Sequence, residues 1–182
     1  MLSRRNWVVA LVSLLLVASL AGCTSGIAVP DRAIAVDVNT ALEAQNKVAN
    51  LMMAGEVQWS EAEFSSLLSV LLDQNSGENN PVDAVLVWFE PGNKVIAQVA
   101  LIDGVLPPTL GGDALNLSGV VSVEGGAVKL DLDGASAGGL GIDAAFLAPV
   151  NAQINAALAG LGLGVPVTVE TDSGSVTVKL GM

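Results

Sequence analysis

Apolar side chains recur every three or four residues between positions 40 and 72 and mostly every second residue beyond position 83, so helices are expected first and strands after them. Thr40-Ala41-Leu42-Glu43 has the spacing of a capping box. Ala41, Ala44, Val48, Leu51 and Met52 follow at helical spacing, and Gly55 supplies a stop. Glu56 to Trp59 is short and extended. Ser60-Glu61-Ala62-Glu63 then repeats the capping box in front of Phe64, Leu67, Leu68, Leu71 and Leu72. Their spacing makes one helix face continuous hydrocarbon and leaves Ser65, Ser66 and Ser69 off it. Asp73 to Pro81 reads as a polar loop.

Three hairpins are expected beyond it. Ala84 to Glu90 and Lys94 to Leu101 flank Pro91-Gly92-Asn93; Leu115 to Val123 and Ala127 to Asp133 flank Gly125-Gly126; Val167 to Glu170 and Val176 to Leu180 flank a turn at Asp172-Ser173-Gly174. Six such strands make an antiparallel sheet. Most of them alternate, as do Val128, Leu130 and Leu132 against Lys129, Asp131 and Asp133, which buries one face and wets the other. Ala84 to Phe89 is apolar on both faces. It is either a central strand or one whose second face meets something outside this chain. Leu147, Val150, Ile154, Leu158 and Leu161 predict a last helix, which begins near Ala148 or kinks at Pro149.

The start of the chain has a different logic. Met1 to Asn6 carry Arg4 and Arg5, Trp7 to Leu20 are almost wholly apolar, and small residues follow, which is the layout of a secretory signal. Fourteen residues of helix reach only ~21 Å, short of the ~30 Å hydrocarbon core of a bilayer. Leu20-Ala21-Gly22-Cys23 resembles the lipobox of bacterial lipoproteins, in which the thiol takes a diacylglyceryl group and the chain is cut before it. Cys23 is the only cysteine, so no internal disulfide competes for it. Thr24 stands where the inner-membrane retention signal of enteric lipoproteins has Asp. The organisation expected is a signal over 1–22, a lipid-anchored tether over 23–36 and a single α+β domain over 37–182. The membrane is then a partner through Cys23, and the domain lies outside the cytoplasm, in a periplasm or on an outer surface.

Composition narrows the function. Setting aside Arg4 and Arg5 leaves five cations against 18 acids, a net charge of −13, which disfavours nucleic acid and anionic head groups as partners. There is no histidine, the commonest general base and transition-metal ligand. With Cys23 acylated no thiol remains, so neither an enzyme, a metal nor a cofactor is expected. Asp131-Leu132-Asp133-Gly134 begins like a calcium loop, but Ser136 stands where the sharp turn needs Gly and Ile142 where a bidentate acid belongs. Those acids read instead as wetted strand positions before a turn. Glu61 and Glu63 read as helix-start residues rather than a glycosidase pair. Asn116-Leu117-Ser118 reads as plain strand, and Trp59 and Trp88 as core residues with a bonded indole nitrogen.

The order of elements, with VQWSEAEFSSLL before two hairpins, GGLGIDAAFLAPVNAQINAAL after them and VPVTVETDSGSVTVKL closing the chain, resembles the YpmS-type family of bacterial envelope proteins and the YceB-type lipoproteins. That resemblance implies a relative of the tubular lipid-binding (TULIP-like) folds. In these a strongly curved antiparallel sheet of about six strands holds two to three amphipathic helices on its apolar face, and the concave side receives lipid. The function implied is non-catalytic binding of a hydrophobic ligand, a lipid or polyprenyl chain. Its wall is expected to be Leu68, Leu71 and Leu72 from the second helix with Val85, Val87, Val99, Leu115, Leu117, Val150 and Ile154. The alternative is a structural or protein-interaction module of the cell envelope with a filled core.

Overall fold

A computed structural model describes residues 26–76, 82–102, 114–124, 127–142, 147–160 and 166–181. The signal and lipobox, Cys23 included, lie outside the described residues. The first helix, α1, spans Val38–Ala54. It starts ahead of the capping box expected at Thr40, because Asp37 is the better cap: its backbone is extended and its carboxylate accepts the Thr40 amide at 2.9 Å. The Thr40 hydroxyl also bonds that carboxylate, and holds it below the usual aspartate range. Gly55 ends the helix in the left-handed region (φ 75°), its N–H returned to the Leu51 carbonyl.

Strand β1 (Glu56–Ser60) leads directly into α2 (Glu61–Ser76), and here the capping box forms as its spacing requires. The Glu63 N–H donates to Ser60 Oγ at 3.2 Å, and Glu63 Oε2 accepts the Ser60 N–H at 2.9 Å. Beyond it come β2 (Val82–Glu90), β3 (Lys94–Leu101), β4 (Ala114–Glu124), β5 (Ala127–Ala137) and the short β6 (Leu140–Gly141). Helix α3 (Leu147–Gly160) and the hairpin β7 (Val167–Asp172) and β8 (Ser175–Leu180) complete the chain. Pro149 falls in the first turn of α3, where amide donors have no helical partner, so the helix begins at Leu147.

The fold is α+β, but the strands form two antiparallel sheets rather than one of six. β2 to β6 lie side by side in chain order, and β1-β8-β7 make a separate three-stranded sheet. The extended piece after α1 thus became a full strand paired along β8, from Glu56 opposite Lys179 to Ser60 opposite Ser175. Neither sheet closes into a barrel. Between β4 and β5 the register shifts at Ser118/Gly119, where a Cβ on Gly119 would stand 2.5 Å from the Asp131 carbonyl oxygen. β5 runs on through Gly134 to Ala137, so the turn expected after Asp133 comes later, at Gly138 and Gly139.

The inner face of the larger sheet is read from its register. Val85, Val99, Leu115 and Ala137 form one cross-strand row, and Val87, Ala97, Leu117 and Ala135 the next. These rows join Val57, Trp59, Val169, Val176 and Val178 of the smaller sheet and Leu67 and Leu68 of α2 in a single core. The β2–β3 turn is fitted against the smaller sheet: Asn93 Oδ1 accepts the Thr171 amide at 3.1 Å, and the Gly174 amide donates to the Phe89 carbonyl at 3.2 Å.

β2 is an outer strand, not a central one, and α2 covers its free edge. Glu61, Ser65 and Ser69 stand four apart, and they accept the amides of Phe89 (2.9 Å), Val87 (2.8 Å) and Val85 (3.1 Å). The serines that lie off the apolar face are therefore not free: Ser65 is buried in this seam and Ser69 partly so, and Ser66 is buried where it accepts the Asp37 amide. The outer edge of β5 is closed likewise. Asn155 of α3 accepts the Leu130 amide at 2.8 Å and donates to its carbonyl at 2.9 Å.

Replacing Ser65 by Ala strands the buried Val87 amide and should lower the unfolding free energy by about 1–3 kcal/mol, read as a shift of the urea midpoint without a change in slope. A second outcome concerns acid. Burial pushes the Glu63 carboxyl up, but its bonds to Lys47 and to the Ser60 amide and hydroxyl outweigh that and hold it below the usual glutamate range. A carboxyl lowered in the folded state stabilises above its unfolded value, and the contribution is lost as pH falls through the folded value. The urea midpoint of the parent protein should therefore fall from about pH 5 downward more steeply than that of Glu63→Gln.

Candidate functional site

The residues expected to line a hydrophobic cavity come together, but in two groups. Leu68, Val85, Val87 and Leu117 are buried in the packed centre, Leu117 with no exposed surface. Leu71, Leu72, Val99, Leu115 and Ile154 are partly buried and pack against that centre from outside. Val150 belongs to α3, and its side chain lies outside the described residues. The division is one of centre and margin: Ile154 adjoins Asn155, which bonds Leu130, and Val123 and Val128 at the β4–β5 turn are partly buried as well, whereas Val85 and Ala137, in the row of Val99 and Leu115, are buried. Val99 and Leu115 are cross-strand partners one row nearer the sheet end than Ala97 and Leu117. Leu71 and Leu72 lie beyond Ser69, which bonds Val85, so the helix brings them to that same end. Val82 and Ile142 there are partly buried too. Among the described residues, the margin of the apolar inner face is thus only partly buried at the end opposite the β2–β3 turn, as it is at Val123 and Val128 near the other end.

The outer face of the same sheet is covered by the chain itself. Residues 26–36, part of the stretch expected to be a tether, are laid across it. The Ile27 amide donates to Ser136 Oγ at 2.9 Å, Asn116 Nδ2 donates to the Ile27 carbonyl at 3.4 Å, and the Asp37 amide donates to Ser66 Oγ at 3.1 Å. In between, Trp88 Nε1 donates to the Arg32 carbonyl at 2.9 Å. The second apolar face of β2 is answered within the chain, because this strap buries Trp88. No residue in the segment shows the helical or alternating period that sequence reading depends on, and its docking was invisible for that reason.

Arg32 ends the crossing in an ionic cluster. Its Nη2 lies 2.8 Å from Glu61 and 2.9 Å from Glu90, and it also donates to the Phe89 carbonyl at 3.3 Å. The Glu61 bond first, and then the Glu90 bond, raises the guanidinium pKa above its ordinary value. Glu61 is buried, yet its oxygens are used by Arg32 and the Phe89 amide, so this carboxylate holds an edge strand and a strap together. It does more than begin a helix. Asp131 and Asp133 remain exposed and accept the hydroxyls of Ser122 (3.0 Å) and Ser118 (2.6 Å). Among the described residues no three His, Cys, Asp or Glu side chains gather as a metal site would need. Trp59 donates its indole N–H to the Ala44 carbonyl at 3.1 Å, in keeping with a core role.

Comparison with protein-family models, with curated proteins and with solved structures finds no match for this chain. The geometry therefore carries the functional argument: an apolar interior with a packed centre and a partly buried margin, and a strap that crosses the opposite face.

Arg32→Ala removes the cation from a buried carboxylate and should cost about 1–3 kcal/mol in urea unfolding. Arg32→Lys should recover only part of that, since one ammonium cannot reproduce the fork that reaches Glu61, Glu90 and the Phe89 carbonyl. Equal midpoints for the parent and the alanine variant would remove the cluster from the account of stability.

Proposed function

We propose that this chain is a membrane-anchored extracytoplasmic lipoprotein that binds a hydrophobic ligand, an acyl or polyprenyl chain, without catalysing a reaction on it. Cys23 carries the anchor in this reading, and the ligand lies between α2 and the inner face of the five-stranded sheet. The observation that supports the proposal is the partly buried margin of that face, where Val99 and Leu115 lie one row from the wholly buried Leu117. An alkyl chain entering there would exchange water for dispersive contact, at roughly 0.8 kcal/mol for each methylene buried. The curved, tubular class to which the order of elements was likened belongs to the same proposal. Anchoring suits such a site, since it keeps a weak binder at high effective concentration beside its ligand pool.

A second reading is an anchored structural or protein-interaction module. It is favoured by Leu68, Val85, Val87 and Leu117, which pack with Phe89 and Leu67 as an ordinary core does.

The two readings part in native mass spectrometry of the chain from Thr24 onward, which keeps every described residue. A co-purifying lipid, displaced by a fluorescent fatty acid, is the expected result. Leu115→Trp should then lose ligand with little change in the urea midpoint, whereas Leu117→Trp should overpack the centre and cost about 1–3 kcal/mol. Bare protein that ignores the probe, with both tryptophans equally destabilising, would leave the interaction module standing alone.

A further inference from the structure

The strap fixes where the chain leaves the domain. A Cβ placed on Gly26 would lie 2.8 Å from Gly139 Cα, so the backbone there runs directly over the β5–β6 turn, and Ile27 is bonded to Ser136 just beside it. Cys23 precedes Gly26 by three residues. Even fully extended, that length spans at most ~11 Å at ~3.6 Å per residue. A lipid on Cys23 would therefore hold the β5–β6 turn within about a nanometre of the bilayer surface, rather than letting the domain range on a long tether.

The sheet end around that turn is suited to such closeness. Ala100 pairs with Ala114, Leu115 with Ala137, and Ala137 with Leu140, which puts the end of β3, the start of β4 and the β5–β6 turn side by side. Two large aliphatic side chains stand out from this strip, Ile102 at 50% exposure and Leu140 at 42%. From Leu115 to Asn116, from Gln98 to Ile102 and from Gly134 to Ile142 there is no charged residue. The carboxylates at this end stand around the strip, Asp83 on β2 and Asp73 at the end of α2 among the described residues and Asp103, Asp113 and Asp143 adjoining it in sequence, while both signs of charge gather at the opposite end, where Glu90, Lys94, Glu124, Lys129 and Asp131 stand near the two hairpin turns.

We propose that the sheet end bearing Ile102 and Leu140 is a membrane-contact surface that seats the domain on the lipid bilayer, with the partly buried margin at Val99 and Leu115 turned toward the acyl chains. The proposal rests on acylation of Cys23, the anchor of the preceding reading. Two half-exposed aliphatic side chains are too little to bind a bilayer unaided, and the anchor supplies the local concentration that makes their contact persist. The contact is with hydrocarbon and neutral head groups, since the domain's acidity gives it no attraction to anionic lipid.

Acylation consumes the one native thiol, so a cysteine introduced elsewhere can be spin-labelled alone. Full-length Ile102→Cys, Leu140→Cys and Glu124→Cys, produced in a lipoprotein-processing bacterial host and reconstituted in phosphatidylcholine vesicles, would be compared by collision with oxygen and with a water-soluble nickel chelate. Labels at 102 and 140 should favour oxygen, as groups at the acyl boundary do, and the label at 124 should favour nickel. Mass measurement of the mature N-terminus is made on the same samples. An acylated chain whose three labels all favour nickel overturns the docking surface and leaves the anchor intact. An unacylated chain overturns both.

Discussion

The edge of β2 is the constraint on which the remaining architecture depends. An outer strand presents a row of amides every second residue, and left open it would recruit another strand. Here a helix meets it with a matching row of oxygens. Four residues of helix advance ~6.0 Å and two residues of strand ~6.8 Å, close enough for Glu61, Ser65 and Ser69 to stay in step with Phe89, Val87 and Val85. Because the polar row locks the helix to the edge, the neighbouring apolar stripe is aimed at the inner face. Leu67 and Leu68 fall over the packed rows, and Leu71 and Leu72 reach the partly buried margin. The same solution in smaller form, Asn155 on Leu130, closes the other side, so the sheet is bounded by side chains of its own helices.

That seam also shows where periodicity stops being informative. The two long helices, the three hairpins and the capping box at Ser60 were legible because each is written in a local repeat or a fixed spacing. So was the α+β class. The division into two sheets was not, since pairing of Glu56–Ser60 with β8 joins residues more than a hundred positions apart, and alternation says nothing about which strand lies beside which. Ser65 and Ser69 were placed only off the apolar face for a related reason: a hydroxyl bonded to a buried amide and one bonded to water look alike in one dimension. The spacing of four from Glu61 to Ser69, set against the spacing of two in the strand, was the available signal. At the candidate site, the apolar residues themselves were readable, and their separation into a packed centre and a partly buried margin was not.

Electrostatics is organised around the scarcity of cations. With so few positive charges in the domain, each described lysine or arginine that bonds an acid does a positional task. Arg32 joins strap, edge strand and helix; Lys47 joins α1 to the α2 cap at Glu63 and to the Gln58 carbonyl; Lys129 bonds Glu124 across the β4–β5 hairpin and Lys179 bonds Glu170 across the β7–β8 hairpin. Among the described residues, Glu56, Asp83, Asp131, Asp133 and Asp172 lie on exposed strand positions, where their mutual repulsion is screened.

The strap has a consequence for how the protein is made. The amide of Ile27 finds its acceptor on Ser136, 109 residues later in the chain, so this segment is synthesised early and finds its resting place late. Until β4 and β5 are in place there is no surface for it to lie on. The strap therefore closes over a finished sheet, and before that moment its backbone is open to any protease that meets the chain.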